Sequence, residues 1–158
     1  MTVSPIPEGY HTLTPYLVVD DAPAAIDFYT RAFGATEHVR MPMPDGKVGH
    51  AELRIGDSLV MLSDPMSGAA TKAPKELGGT TGSVFMYVED VDAAFEQAVG
   101  AGATVTMALE DMFWGDRFGT LTDPFGHVWS LATHKEDLTE EEIAERGQAA
   151  MAAMGSQS

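Results

Sequence analysis

His50 and Glu52 stand two residues apart in Gly49-His-Ala-Glu-Leu-Arg-Ile-Gly56. In an extended strand, side chains two apart share a face, with backbones roughly 6–7 Å apart. An imidazole and a carboxylate so placed can hydrogen-bond, act as base and acid, or give two ligands to a divalent metal. They can equally be structural, with Glu52 pairing to His50 or Arg54 on an open sheet face. A second constellation is Met112-Phe-Trp-Gly-Asp-Arg117. Phe113 and Trp114 follow no regular period and precede a glycine, so they read as a loop. A tryptophan there offers a wide apolar face and one N–H donor, which suits a flat organic ligand. The same loop can instead cover the sheet or sit in a dimer interface. Arg117 can fix a ligand carboxylate or phosphonate, or pair with Asp116.

The elements that carry these residues recur. Thr14-Pro-Tyr-Leu-Val-Val-Asp-Asp21 is echoed by Ser83-Val-Phe-Met-Tyr-Val-Glu-Asp90, and Val60-Met-Leu62 by Trp129-Ser-Leu131, each at an offset of 69 residues. Such a constant offset marks an internal duplication. Each copy opens with a strand (13–19, then 83–88) and passes through Asp into an Ala-rich amphipathic helix (22–33, then 91–101). Three further strands follow: 37–43, 48–55 and 59–63 in the first copy, and 105–109, 117–122 and 128–133 in the second. Within 48–55, Ala51, Leu53 and Ile55 form the apolar face, which leaves His50, Glu52 and Arg54 on the other. The stretch 110–115 reads as an irregular loop. The Pro- and Gly-containing stretch 64–81 reads as a linker, and Thr139-Glu-Glu-Glu142 has the layout of a capping box before a short C-terminal helix that frays from Ala149.

Composition narrows the function classes. A net charge of −15, with no cluster of Lys or Arg, is unsuited to phosphate neutralisation, so no nucleic-acid partner is expected. The absence of cysteine removes disulfides, thiolate metal sites and cysteine nucleophiles. No serine sits in a nucleophile-elbow context. No apolar run nears the roughly 20 residues of a membrane span, and the N-terminus lacks a signal-peptide layout, so a cytoplasmic protein without a membrane partner is expected.

Thr14–Asp21 together with Ala25-Ile-Asp-Phe-Tyr-Thr-Arg-Ala-Phe-Gly34 and the closing Asp123-Pro-Phe-Gly-His127 resemble the vicinal-oxygen-chelate superfamily. That superfamily includes glyoxalase I, extradiol dioxygenases and the bleomycin- and fosfomycin-resistance proteins. The stretches 49–56 and 113–119 resemble its glyoxalase-like, phosphonate-operon-like branch. The resemblance implies an α+β fold of paired βαβββ modules, forming a cup-shaped mixed sheet with helices on the outer face. Residues 1–134 would be one domain, with modules at 13–64 and 82–133 joined by the linker 65–81; residues 135–158 would be an acidic helix and tail. Glyoxalase I members carry a His or Glu ligand at one position on the first and last strand of each module. Those positions here are Thr14, Met61, Ser83 and Ser130, and hydroxyls and a thioether bind divalent zinc, nickel or iron poorly. Strand parity from them turns Tyr16, Val18, Leu59, Phe85, Tyr87 and Val128 toward the cleft.

The resulting expectation is a small-molecule binder without the usual metal or another cofactor. It would hold an organic, cationic aromatic or drug-like ligand among Tyr16, Met61, Phe85, Tyr87, Phe113, Trp114 and Arg117, as in antibiotic resistance. The alternative is an isomerase- or lyase-type enzyme using His50 and Glu52 as an acid–base pair or as relocated ligands of a divalent metal. The resemblance also implies a homodimer.

Overall fold

The computed structural model describes residues 3–156; Met1, Thr2, Gln157 and Ser158, at the ends of the expected lead-in and tail, lie outside the described residues. The first module runs β1 (Tyr16–Val18), α1 (Ala22–Phe33), β2 (Thr36–Pro42), β3 (Val48–Ile55) and β4 (Ser58–Ser63). After a short helix α2 (Pro74–Leu77), the second runs β5 (Ser83–Tyr87), α3 (Val91–Ala101), β6 (Thr104–Asp111), β7 (Asp116–Thr122) and β8 (Val128–His134), followed by α4 (Glu140–Gly155). Each module folds into a four-stranded mixed sheet, in the orders β1-β4-β3-β2 and β5-β8-β7-β6. Tyr16 pairs with Met61 in the first and Phe85 with Ser130 in the second, so the 69-residue offset survives in the register.

Equivalent polar side chains fix how each helix leaves its first strand. Asp21 and Asp90 cap α1 and α3 by accepting the backbone N–H of Ala24 and Ala93. At the end of β4, buried Asp64 accepts the N–H of Ala22 at 2.9 Å and of Val48 at 2.7 Å. Its counterpart Thr133 on β8 accepts the N–H of Val91 at 2.9 Å and donates to the Val88 carbonyl at 2.8 Å. One side chain thus binds the last strand to the start of the helix in each half.

Alternation then decides what the helices cover. Ala51, Leu53 and Ile55 of β3 are buried together with Leu17, Val19, Val60 and Leu62, against the buried face of α1. In the second half Leu121, Trp129 and Leu131 are buried against Phe95 and Ala98 of α3. The modules share one core because α1 reaches the second half. Tyr29 donates to Asp123 at 2.6 Å, Trp129 Nε1 donates to the same carboxylate oxygen at 2.9 Å, and Phe33 lies 4.5 Å from the Trp129 ring. His127 donates from Nε2 to the β1 carbonyl of Val18 at 2.8 Å, which brings the start of β8 to the edge of β1. No ladder joins the two sheets among the described residues, so they form a half-open cup rather than a closed barrel.

Three local features differ from expectation. The first strand is trimmed to Tyr16–Val18, although Pro15 and Val19 still join β4 by single hydrogen bonds at 2.9 and 3.0 Å. Strand β6 continues to Asp111, because Met112 N–H closes on the Asp116 carbonyl at 2.7 Å. Helix α4 is longer than expected and regular through Gly155; its capping box is formed by Thr139 and Glu142, and buried Gly147 admits the ring of Phe113.

Candidate functional site

The concave face is read off strand parity: opposite the buried Ala51, Leu53 and Leu62 lie His50, Glu52 and Met61, and Tyr16 neighbours Met61. The structure brings three of these into contact. His50 Nε2 is 3.1 Å from Glu52 Oε1, and His50 Nδ1 is 3.0 Å from the hydroxyl of Tyr16. Glu52 also accepts a hydrogen bond from Tyr10, in the segment leading to β1. The Tyr10 and His50 hydrogen bonds hold the Glu52 carboxyl below its usual range despite partial burial. Burial and the Glu52 carboxylate push the Tyr10 hydroxyl up to about 12. An ionised carboxylate only accepts, so the hydrogen-bond pattern assigns the imidazole proton to Nε2 and leaves Nδ1 to accept from Tyr16. Arg54 takes no part in this network; its guanidinium lies against Gly9.

The second half presents aromatics where the first presents polar groups. Phe85 and Tyr87 are 49% and 62% exposed, with ring centroids 5.0 Å apart. Phe118 stacks on Phe85 at 5.6 Å, and Trp114 meets Phe118 edge-on at 5.7 Å. Beneath them Asp116 is only 4% exposed and accepts from Tyr87 Oη at 2.9 Å, Trp114 Nε1 at 3.1 Å and His134 Nδ1 at 2.8 Å. Burial pushes the Asp116 carboxyl up, but those three donors together outweigh it and hold the group below its usual value. The Asp116 contact, with a second from Asp137 at 2.9 Å, raises the imidazole of His134.

Two of the sequence-selected residues lie elsewhere. Arg117 shares the parity of buried Gly119 and Leu121, so it points to the helix side, where it binds Asp92 at 2.8 Å and Asp111 at 3.3 Å. The expected Arg117–Asp116 pairing is absent because adjacent strand residues face opposite ways. Phe113 wedges between Trp114, at 5.1 Å, and Gly147 of α4, so it supports the tryptophan from behind. Sequence alone does not single out Phe118, and it reads Asp116 only as a partner for Arg117 and His134 only as structural. Parity with Thr120 nevertheless places Phe118 and Asp116 on the concave face. Tyr10 lies in a Pro-containing lead-in with no period, so no sequence signal pointed to it.

Thr14, Met61, Ser83 and Ser130 remain a neutral donor set, and among the described residues no three His, Cys, Asp or Glu side chains gather as metal ligands. These residues do not fit the metal of glyoxalase I. Two cavities open along the line where the modules meet. One, of about 660 Å³, is walled by Thr14, Phe33, Leu59, Phe85, Tyr87 and Trp129. The other, of about 700 Å³, is walled by Tyr16, Val18, Lys72, Leu77, Thr80 and His127.

Comparison with known proteins agrees with this architecture. Residues 10–131 match the model of the Glyoxalase/Bleomycin resistance protein/Dioxygenase superfamily. An uncharacterized protein of Mycobacterium tuberculosis is 51% identical over 90% of this chain and 84% of its own length. The cadmium-induced protein CadI of the same species is 30% identical, over 74% of this chain and 72% of its own. Among solved structures, TioX from Micromonospora sp. ML1 superposes with a TM-score of 0.65 at 31% identity, covering 78% of this chain and 98% of TioX. A glyoxalase/bleomycin resistance protein/dioxygenase from Nocardioides superposes with a TM-score of 0.62 at 25% identity, over 88% and 90% of the two chains. With the paired modules, the register repeat and the family match in agreement, this chain belongs to the glyoxalase/bleomycin resistance protein/dioxygenase superfamily.

Proposed function

We propose that this chain binds a cationic aromatic, drug-like molecule on the aromatic half of its concave face, without the metal of glyoxalase I. The observation that carries this reading is the cluster of Phe85, Tyr87, Phe118 and Trp114 around the buried carboxylate of Asp116. Ring faces attract organic cations, and the attraction grows as the site is desolvated. The Tyr87 and Trp114 hydrogen bonds to Asp116 fix both rings before a ligand arrives, which lowers the ordering cost of binding. A net charge of −15 adds long-range attraction for a cation. Sequestration of a toxic compound, as in antibiotic resistance, is the role that fits such a site, and a cytoplasmic homodimer is its proposed setting. Calorimetric titration with matched cationic and neutral aromatics tests the reading. The cation should bind at least tenfold more tightly; equal or absent binding of both would overturn it.

A second reading has its own support. His50 engages Tyr16 and Glu52 through its two ring nitrogens, the arrangement of an oriented base. It favours proton transfer next to a carbonyl, of isomerase or lyase type, with His50 and Glu52 as the acid–base pair. Turnover of a carbonyl substrate should then be lost in His50→Ala and Glu52→Gln; retention of turnover in both would rule the pair out.

A further inference from the structure

The four tyrosines differ in what accepts their hydroxyl protons. Tyr29 donates to Asp123, Tyr87 to Asp116 and Tyr10 to Glu52. Two of those carboxyls, Glu52 and Asp116, are held below their usual values and so take up protons poorly. Only Tyr16 donates to an imidazole, and Glu52 fixes that imidazole with its Nδ1 lone pair facing the phenol. An imidazole is a far better proton acceptor near neutral pH than a carboxylate. The order Tyr16 Oη–H, His50, Glu52 reproduces the logic of a hydroxyl nucleophile, its base and the carboxylate that orients the base. Tyr10, donating to the same carboxylate, holds the far end of the chain.

We propose that Tyr16 is the reacting end of a Tyr16–His50–Glu52 relay, with its phenol oxygen as the group that attacks an electrophile or exchanges a proton with substrate. This rests on the second reading above and moves its chemistry from the imidazole to the phenol. Tyr16 is 48% exposed and forms part of the wall of the 700 Å³ cavity, so a space of ligand size lies beside this residue. The lysine in that wall, Lys72, is already paired with Glu76 at 2.9 Å, and the chain as a whole is strongly acidic. The substrate class that fits is therefore an uncharged carbonyl compound rather than a carboxylate or phosphate. In the forward step the Tyr16 proton passes to His50 Nδ1, and the resulting imidazolium is balanced by the Glu52 carboxylate. The phenol oxygen bonds to the carbonyl carbon while the C=O π pair moves to the carbonyl oxygen, giving an alkoxide that takes the proton back from the imidazolium. In the proton-transfer case the phenolate takes the acidic proton beside the carbonyl, and the C–H pair becomes the enolate.

N-acetylimidazole, a neutral acyl donor, tests the relay without knowledge of the natural substrate. Tyr16 Oη forms the new bond to the acetyl carbon, the bond from that carbon to the imidazole nitrogen breaks, and the proton held by His50 passes to the departing imidazole. Peptide mass spectrometry of the full-length protein at neutral pH would follow acetylation at Tyr10, Tyr16 and Tyr87 over time. Tyr16 should react at least tenfold faster than Tyr87, although Tyr87 is the more exposed. The Tyr16 rate should fall at least tenfold in His50→Gln, which keeps a hydrogen-bonding side chain but no base, and should also fall in Glu52→Gln. A Tyr16 rate no greater than that of Tyr87, or one unchanged in His50→Gln, would overturn the relay. Carbethoxylation of His50 by diethyl pyrocarbonate separates the two failures. Slow Tyr16 with a reactive, Glu52-dependent His50 would overturn the relay and leave the acid–base pair standing. Slow reaction at both would overturn both.

Discussion

At the scale of single residues, strand period made half of the concave face legible. The two-residue spacing of His50 and Glu52 predicts a shared face, and the two side chains meet at 3.1 Å. The same period, carried to Asp116 and Arg117, separates them: Asp116 goes to the aromatic face and Arg117 to the helix side with Asp92. Reading 110–115 as a loop and starting the strand at Arg117 hid that distinction, since Asp116 was left without a parity. Tyr10 was invisible for a different reason, because its contact with Glu52 depends on how an aperiodic lead-in folds back over the sheet. His134 carries a pH prediction. Its folded-state value is raised by Asp116 and then Asp137, so its contribution to stability is fully present below the ordinary imidazole value of 6.5. That contribution is lost as pH rises through the raised folded value. The thermal midpoint of the wild type should therefore fall across that window relative to His134→Gln, in which this component of the slope should vanish. Parallel midpoints from pH 5 to 9 would show that the contact carries no stability.

At the scale of elements, caps and periods placed the helices well and strand ends poorly. Asp21 was readable as a cap because a capping carboxylate comes immediately before an apolar 3.6-residue pattern, and Asp90, its equivalent 69 residues on, caps α3 in the same way. The end of α4 was not, since Ala149–Gly155 has little apolar period and its helicity depends on propagation from the capping box at Thr139. Thr139→Ala removes the hydroxyl that accepts from Glu142 N–H and should cost about 1 kcal/mol of local helix stability. Amide exchange should speed up in the first turn of α4 and stay unchanged in β3; unchanged exchange throughout would mean that other contacts hold the helix start. Gly147→Val tests the link from α4 to the aromatic face. A Cβ there would stand 3.1 Å from the Phe113 ring, so Phe113 must shift, and Trp114 fluorescence should change with it. An unchanged spectrum would show that α4 and the aromatic face are independent.

At the scale of the molecule, the 69-residue offset established the paired modules before any single element was certain, since a duplication constrains both halves at once. What it left open was how the halves are fastened, because that depends on residues that break the repeat. Tyr29 and Asp123 are 94 residues apart in sequence, and their 2.6 Å bond joins α1 to the turn before β8. Tyr29→Phe removes one of the donors to a buried carboxylate and should destabilise the chain by about 1–3 kcal/mol in chemical denaturation, with the unfolding transition still single. No loss of stability would mean that aromatic packing alone holds the halves together. The duplication also explains the division of the concave face: His50 and Glu52 of the first half correspond in sheet position to Phe118 and Thr120 of the second. One half thus presents an imidazole and a carboxylate where the other presents a ring and a hydroxyl. The central claim, binding on the aromatic half, is tested most directly by calorimetric titration of the dialysed wild type and of Trp114→Ala with proflavine, a flat aromatic cation. Saturable binding by the wild type is expected, weakened in the variant by about 1–3 kcal/mol, or roughly five- to 150-fold in Kd. Absence of binding, or the same Kd in both proteins, would contradict the account.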